Sequence, residues 1–146
     1  MSEARPQRLY SPSVLALAAG LAEFPLDEAL TLRAEERSRT CGSAIVLGLA
    51  LGEGGAIERV GMQVSACAIG QASAALLARS AEEQRGKAID ETLSGLERWL
   101  AGEGELPDWP ELALLAPARA HPARHGALLL PWRAASKALS SGDCAG

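Results

Sequence analysis

Ala44-Ile45-Val46-Leu47-Gly48-Leu49-Ala50-Leu51, then Gly54-Gly55, then Ile57-Glu58-Arg59-Val60-Gly61-Met62-Gln63-Val64 reads as two strands around a glycine turn. Successive side chains of an extended chain point to opposite faces, so Ile45, Leu47, Leu49 and Leu51 share one face and small residues the other. Val60, Met62 and Val64 form the matching face of the return strand, and the glycine pair suits a hairpin turn. Upstream, Leu30, Leu32 and Ala34 alternate with Thr31, Arg33 and Glu35, which predicts a further, half-exposed strand. Three strands in succession predict an antiparallel meander with one face open to helices.

After Cys67 the apolar period becomes helical. Ile69, Ala72 and Leu76 predict a helix to about Arg79, and Ser80-Ala81-Glu82-Glu83 reads as a capping box for a short helical turn closed at Gly86. Ile89, Leu93, Leu96 and Leu100 mark an amphipathic helix stopped by Gly102. At the other end, Ser11-Pro12 opens a helix bearing Val14, Leu17, Ala18 and Leu21, which Phe24-Pro25 ends. Trp109-Pro110 begins another helix. A last one is expected from near Ala127 to Leu139, with Pro131 in its first turn or at a kink. Trp99 and Trp132, at helical positions, read as packing residues. The fold class is therefore α+β: a three-stranded antiparallel sheet packed on one face by helices. Residues 1–139 form a single domain and 140–146 a flexible tail.

Composition narrows the function. Of 146 residues, 48% are hydrophobic and 22% charged, enough for the packed core of one domain, and Ala and Leu dominate the apolar share, which favours helices. The net charge is −4, and no basic cluster interleaves with aromatics, so no nucleic acid is expected as a partner. The apolar stretches Val14–Ala22 and Ala44–Leu51 are both far short of the roughly 18–20 residues a bilayer crossing needs, so no membrane is expected either. Arg5 and Arg8 ahead of Val14–Ala22 imitate a signal peptide. Glu3 among the basic residues and the lack of an Ala-x-Ala site argue against one. Three cysteines leave one unpaired in any disulfide scheme, so a cytoplasmic setting is expected. Ser43 and Ser73 have no His–Asp companions at a hydrolase spacing, and no phosphate-cradling glycine loop occurs, so the chain does not read as an enzyme. Glu35-Glu36 beside Arg37 and Arg39 reads as a solvated mixed-charge stretch.

The chemistry sits with two thiols. Cys41, in Thr40-Cys41-Gly42-Ser43, falls between the first two strands, and Cys67, in Ala66-Cys67-Ala68-Ile69-Gly70, falls where the third strand gives way to a helix. A meander can bring both to one end of its sheet. Unpaired N–H groups at the start of the following helix favour an anionic sulfur at Cys67, the form that binds soft metals or receives sulfur. The plainer alternative makes Cys67, between two alanines, a small buried hydrophobe.

The residues also carry a resemblance. Leu9-Tyr10-Ser11-Pro12-Ser13-Val14-Leu15, Cys41-Gly42, Ile57-Glu58-Arg59-Val60, Ala66-Cys67-Ala68-Ile69-Gly70-Gln71-Ala72-Ser73, Gly86-Lys87, Pro122-Ala123-Arg124 and Leu130-Pro131-Trp132-Arg133-Ala134 together resemble the U-type iron–sulfur cluster scaffold family (the NifU N-terminal domain, IscU and SufU). The resemblance spans about residues 9–139 and is most specific around Cys67. It implies a protein that receives sulfide from a cysteine desulfurase, gathers iron into a [2Fe-2S] cluster and passes it to iron–sulfur acceptor proteins. It also admits a homodimer. The SufU branch binds zinc and acts in sulfur transfer, and the long segment after Cys67 is more like that branch. The Leu-Pro-Pro-Val-Lys element that IscU presents to its chaperone does not occur.

Departures from the family pattern fall on its ligands. An ungapped reading puts Ala127 at the family's third cysteine and Ser43 at the aspartate after Cys-Gly. Clusters and structural zinc ordinarily take four ligands, so Cys41 and Cys67 hold only part of a site. His125, two positions before Ala127, is the candidate third metal ligand with Cys41 and Cys67, for iron or alternatively zinc. The plainer view makes His121 and His125 solvated loop residues. A two-histidine zinc site using both is a more remote alternative. Cys144 could join only by folding back from the tail. Loss of the third cysteine and the aspartate also admits a different role, a metal-free binding or regulatory module on the scaffold fold.

Overall fold

The structure, a computed structural model, describes residues 9–39 and 42–145, with side chains to residue 140. Helix α1 (Pro12–Gly20) leads through a 3-10 turn (Leu21–Glu23) and an irregular segment to strand β1 (Leu32–Arg37). Strands β2 (Ala44–Leu51) and β3 (Ile57–Ser65) follow, then helices α2 (Ala68–Ser80), α3 (Gly86–Leu100) and α4 (His125–Ala145), with 3-10 runs at Leu112–Ala120 and Pro122–Arg124. The sheet is the expected antiparallel meander in the order β1-β2-β3. Leu47 pairs with Ala34 on one side and Met62 on the other, so the predicted apolar faces coincide. Ile45, Leu47, Leu49, Val60 and Met62 are buried, and α4 crosses β1 and β2 on this face while α2 lies against β3. Leu51 departs from it: the register shifts at Ala50/Leu51, and Leu51 is left exposed.

The opposite face holds a feature that alternation did not predict. Leu30 does not share a face with Leu32 and Ala34; it is fully buried on the side away from the helices. The segment 24–30 runs beneath the sheet as a strap. The Phe24 carbonyl accepts the Met62 N–H at the free edge of β3 (2.9 Å), and Leu30 lies under Gly48 and Gly61, which are cross-strand partners. Asp27 turns the strap: its carboxylate accepts the Ala29 N–H (2.9 Å) and pairs with Arg59 (3.2 Å). These bonds hold its carboxyl below the usual carboxylate range.

Three further expectations change. Ser80 ends α2 and Ala81–Glu83 forms no further helical turn, because the Glu83 N–H and the Gln84 carbonyl both bond to Ile57 at the start of β3, and Glu83 is left-handed (φ 71°). Gly86 opens α3 rather than closing a turn. After Trp109-Pro110 the chain takes a left-handed step at Glu111 and then a 3-10 run containing Pro117, not an α-helix. Finally, α4 starts at His125 and continues past Leu139, which puts Pro131 in its second turn, unable to donate to the Ala127 carbonyl.

The contact between α2 and α4 positions the candidate site. Ser73, fully buried, donates to the Leu128 carbonyl (2.6 Å) and accepts from the Trp132 indole N–H (2.9 Å). Trp109 stands edge-on to Trp132 at 4.9 Å and donates to the Leu76 carbonyl (2.9 Å). All three tryptophans are buried packing residues, as expected of Trp99 and Trp132. Ser73→Ala strands the buried indole N–H of Trp132, and a loss of about 2 kcal/mol is expected. Urea unfolding measures it, as a lower midpoint at unchanged slope; an unchanged midpoint would contradict the bond.

Candidate functional site

Strand register decides where the chemistry-bearing segments meet. Ala44 pairs with Ser65, and beyond that pair the Ser38 N–H donates to the Ser43 carbonyl (2.8 Å), closing the β1–β2 loop. Gly42 in that loop is left-handed (φ 72°) and donates to the Ser38 carbonyl (3.2 Å). Cys41 lies outside the described residues, covalently next to Gly42. The β1–β2 loop and the β3–α2 junction therefore share one end of the sheet. An open cleft of about 250 Å³ at this end is lined by Glu35, Arg37, Ala44, Val46, Gln63 and Ser65.

Cys67 is the N-cap residue of α2, with extended backbone (φ −67°, ψ 172°) and a carbonyl that accepts the Gln71 N–H (3.0 Å). Its thiol is half-buried, not in a disulfide, and makes no capping hydrogen bond. The Gln71 side chain donates to the Ala66 carbonyl (3.0 Å) and braces the turn into the helix.

Ala127 is brought to the same neighbourhood. A Cβ added to Gly70 would lie 2.8 Å from the Ala66 Cβ and 3.2 Å from the Ala127 Cβ, so glycine lets α2 and α4 close together one turn beyond Cys67. Ala127 is completely covered, and Ser43 is also buried (4% exposed). The two positions that depart from the family pattern are thus interior ones. His125 is half-buried at the start of α4, and its Nε2 hydrogen-bonds the Arg119 carbonyl (2.9 Å). His121 is exposed in the preceding loop. Cys144 falls near the far end of α4, about 28 Å from His125 along the axis at 1.5 Å per residue. Among the described residues no three His, Cys, Asp or Glu side chains converge on a metal-sized space, Cys41 being outside them. No described helix is long and apolar enough to cross a membrane.

A three-stranded antiparallel meander with helices on one face is the fold of the solved U-type iron–sulfur scaffold proteins. The chain is similar over 94% of its length to a nitrogen-fixing NifU-like protein (N-terminal) from Brucella abortus, covering 96% of that chain at 24% identity with a TM-score of 0.85. It is similar over 90% of its length to a candidate iron–sulfur cluster assembly scaffold protein for the SUF system from Fervidobacterium islandicum AW-1 (96% of that chain, 22% identity, TM-score 0.77). A hypothetical protein also matches, over 88% of this chain and 97% of that one, at 19% identity and a TM-score of 0.65. At these identities the likeness establishes the fold. No family model and no curated protein matches the sequence.

Proposed function

We propose that the chain is a divergent U-type scaffold protein that holds iron and sulfur, as an iron–sulfur cluster or as transferred sulfur, between Cys41 and Cys67. A cysteine desulfurase would supply the sulfur and iron–sulfur proteins would accept the product; the chain holds and hands over cargo rather than catalysing a reaction. One observation carries this reading. The Ala44–Ser65 pair and the Ser38–Ser43 closure put the loop containing Cys41 and the turn containing Cys67 at the same sheet end, although the two residues are far apart in sequence. Sulfur ligands suit iron and zinc, and the half-buried setting of Cys67 gives a bound cluster partial cover from solvent.

The test is anaerobic reconstitution with desulfurase, cysteine, ferrous iron and a thiol reductant that brings the delivered sulfur to sulfide. Acid-labile sulfide and iron that co-purify with the protein, with visible absorption, are the expected result. Protein that emerges without either overturns the reading.

A second reading, a metal-free module on the same fold, draws support from the complete burial of Ala127 against Gly70 and the burial of Ser43. It predicts a chain that stays metal-free by native mass spectrometry in iron and zinc yet still binds desulfurase.

A further inference from the structure

We propose that the outward face of α1 pairs with the α1 of a second copy of this chain, the two helices running antiparallel; the inference stands apart from the chemistry of the thiols. From Leu9 to Ala22 no residue carries a charge, and on α1 only Val14 and Leu17 are buried, on the side that packs against α2. Pro12, Leu15, Ala16 and Ala19, spaced i, i+3, i+4 and i+7, form a second stripe, and all four are exposed. A helix on a domain surface ordinarily turns charged and polar residues outward, and this one does not. Leu15, 50% exposed, is the most exposed large apolar side chain among the described residues.

Charge at the two ends of the stripe decides what covers it and in which direction. Glu23, exposed, lies just past the C-terminal end of α1, the negative end of the helix dipole, where a carboxylate is unfavourable. At the positive end, the Arg124 guanidinium lies 6.0 Å from the centre of the Tyr10 ring, just ahead of α1. Neither Glu23 nor Arg124 forms an ion pair among the described residues. A second α1 laid antiparallel brings Glu23 of each copy to the Arg124 end of the other, so a two-fold axis makes the same charge match twice. A parallel pair would set Glu23 beside Glu23. The antiparallel axis falls near Leu17 and places Leu15 opposite Ala19 and Ala22, whose small side chains leave room for it. Between its ends the stripe offers a charged partner nothing to pair with. One helix from each copy is a contact at the small end of specific interfaces, so the dimer is expected to dissociate on dilution.

The experiment is sedimentation equilibrium of the full chain from micromolar to millimolar concentration, with a reductant present to exclude disulfide-linked pairs. Wild type is expected to pass from monomer to dimer and no further, because a two-fold contact closes on itself. Leu15→Glu, its fold checked by circular dichroism, should stay monomeric throughout. Glu23→Arg and Arg124→Glu should each weaken the dimer by about tenfold or more, and the two together should restore most of it. Dimerisation untouched by Leu15→Glu overturns the proposal, as do charge reversals that add in the double variant instead of compensating. A wild-type monomer at every concentration also overturns it, including one for which Leu15→Glu lowers the affinity for a cysteine desulfurase and so gives this face to another protein.

Discussion

Gly61→Ala is expected to destabilise the protein by roughly 3 kcal/mol or more. The cause is distance, not backbone conformation. A methyl group there would sit 2.1 Å from the Pro25 carbonyl oxygen and 2.7 Å from Leu30 Cδ1, and the first of these is main chain that no rotamer change can clear. Moving Pro25 away would pull the strap off the sheet, breaking the Phe24–Met62 bond and uncovering Leu30. A glycine inside a strand ordinarily lowers stability, so its presence at 61, opposite Gly48, marks the close approach. Gly20→Ala makes the opposite case: nothing lies within 4 Å, the backbone is helical, and a gain of about 0.5–1 kcal/mol is expected. Urea midpoints of the two variants should move in opposite directions. A Gly61→Ala protein within about 1 kcal/mol of wild type would mean that the strap does not lie against the sheet in solution.

Local periodicity explains which elements were legible. Strands β2 and β3 and helices α2 and α3 each repeat their apolar residues at a single period, and their faces in the structure follow it. The strap has no period of its own. Its signal was the coincidence of Gly48 and Gly61 across a strand pair, which appears only once register is known. Ser80–Glu83 satisfied a helix-start pattern, yet its peptides bond to Ile57, more than twenty residues earlier, and a long-range pairing outweighs a weak local preference. Residues 110–124 contain three prolines that withhold backbone donors, which turns an apolar run into 3-10 segments.

The candidate site divides along the same line. Cys67 was readable because a strand pattern ends and a helical one begins on either side of it. The burial of Ser43, the closure of α2 on α4 at Gly70 and Ala127, and the Arg119 carbonyl on His125 are contacts between separate elements. Sequence singled out His125 only by its two-residue distance from Ala127; its hydrogen bond to the Arg119 carbonyl required the fold.

Cys67→Ser should abolish cluster loading while leaving the fold intact or more stable. The substitution replaces sulfur by oxygen at nearly equal size, so packing around the half-buried side chain changes little. A serine hydroxyl is a poor ligand for iron and cannot form a persulfide. At the same position it is a better helix cap. The Cys67 side chain makes no capping bond, whereas a serine oxygen on the same extended backbone can accept from the free N–H groups of Ile69 or Gly70, worth about 0.5–1 kcal/mol. Stability and loading are therefore expected to move apart: an equal or higher urea midpoint, and neither iron nor acid-labile sulfide retained after anaerobic reconstitution. A residue serving only as a small buried hydrophobe would give the other pattern, with loading unaffected. Wild-type sulfide content in Cys67→Ser would remove this thiol from the site. Loss of both folding and loading would fail to separate ligand from structure, so Cys67→Ala, which neither caps nor coordinates, completes the set: folded, unloaded and no more stable than the serine variant.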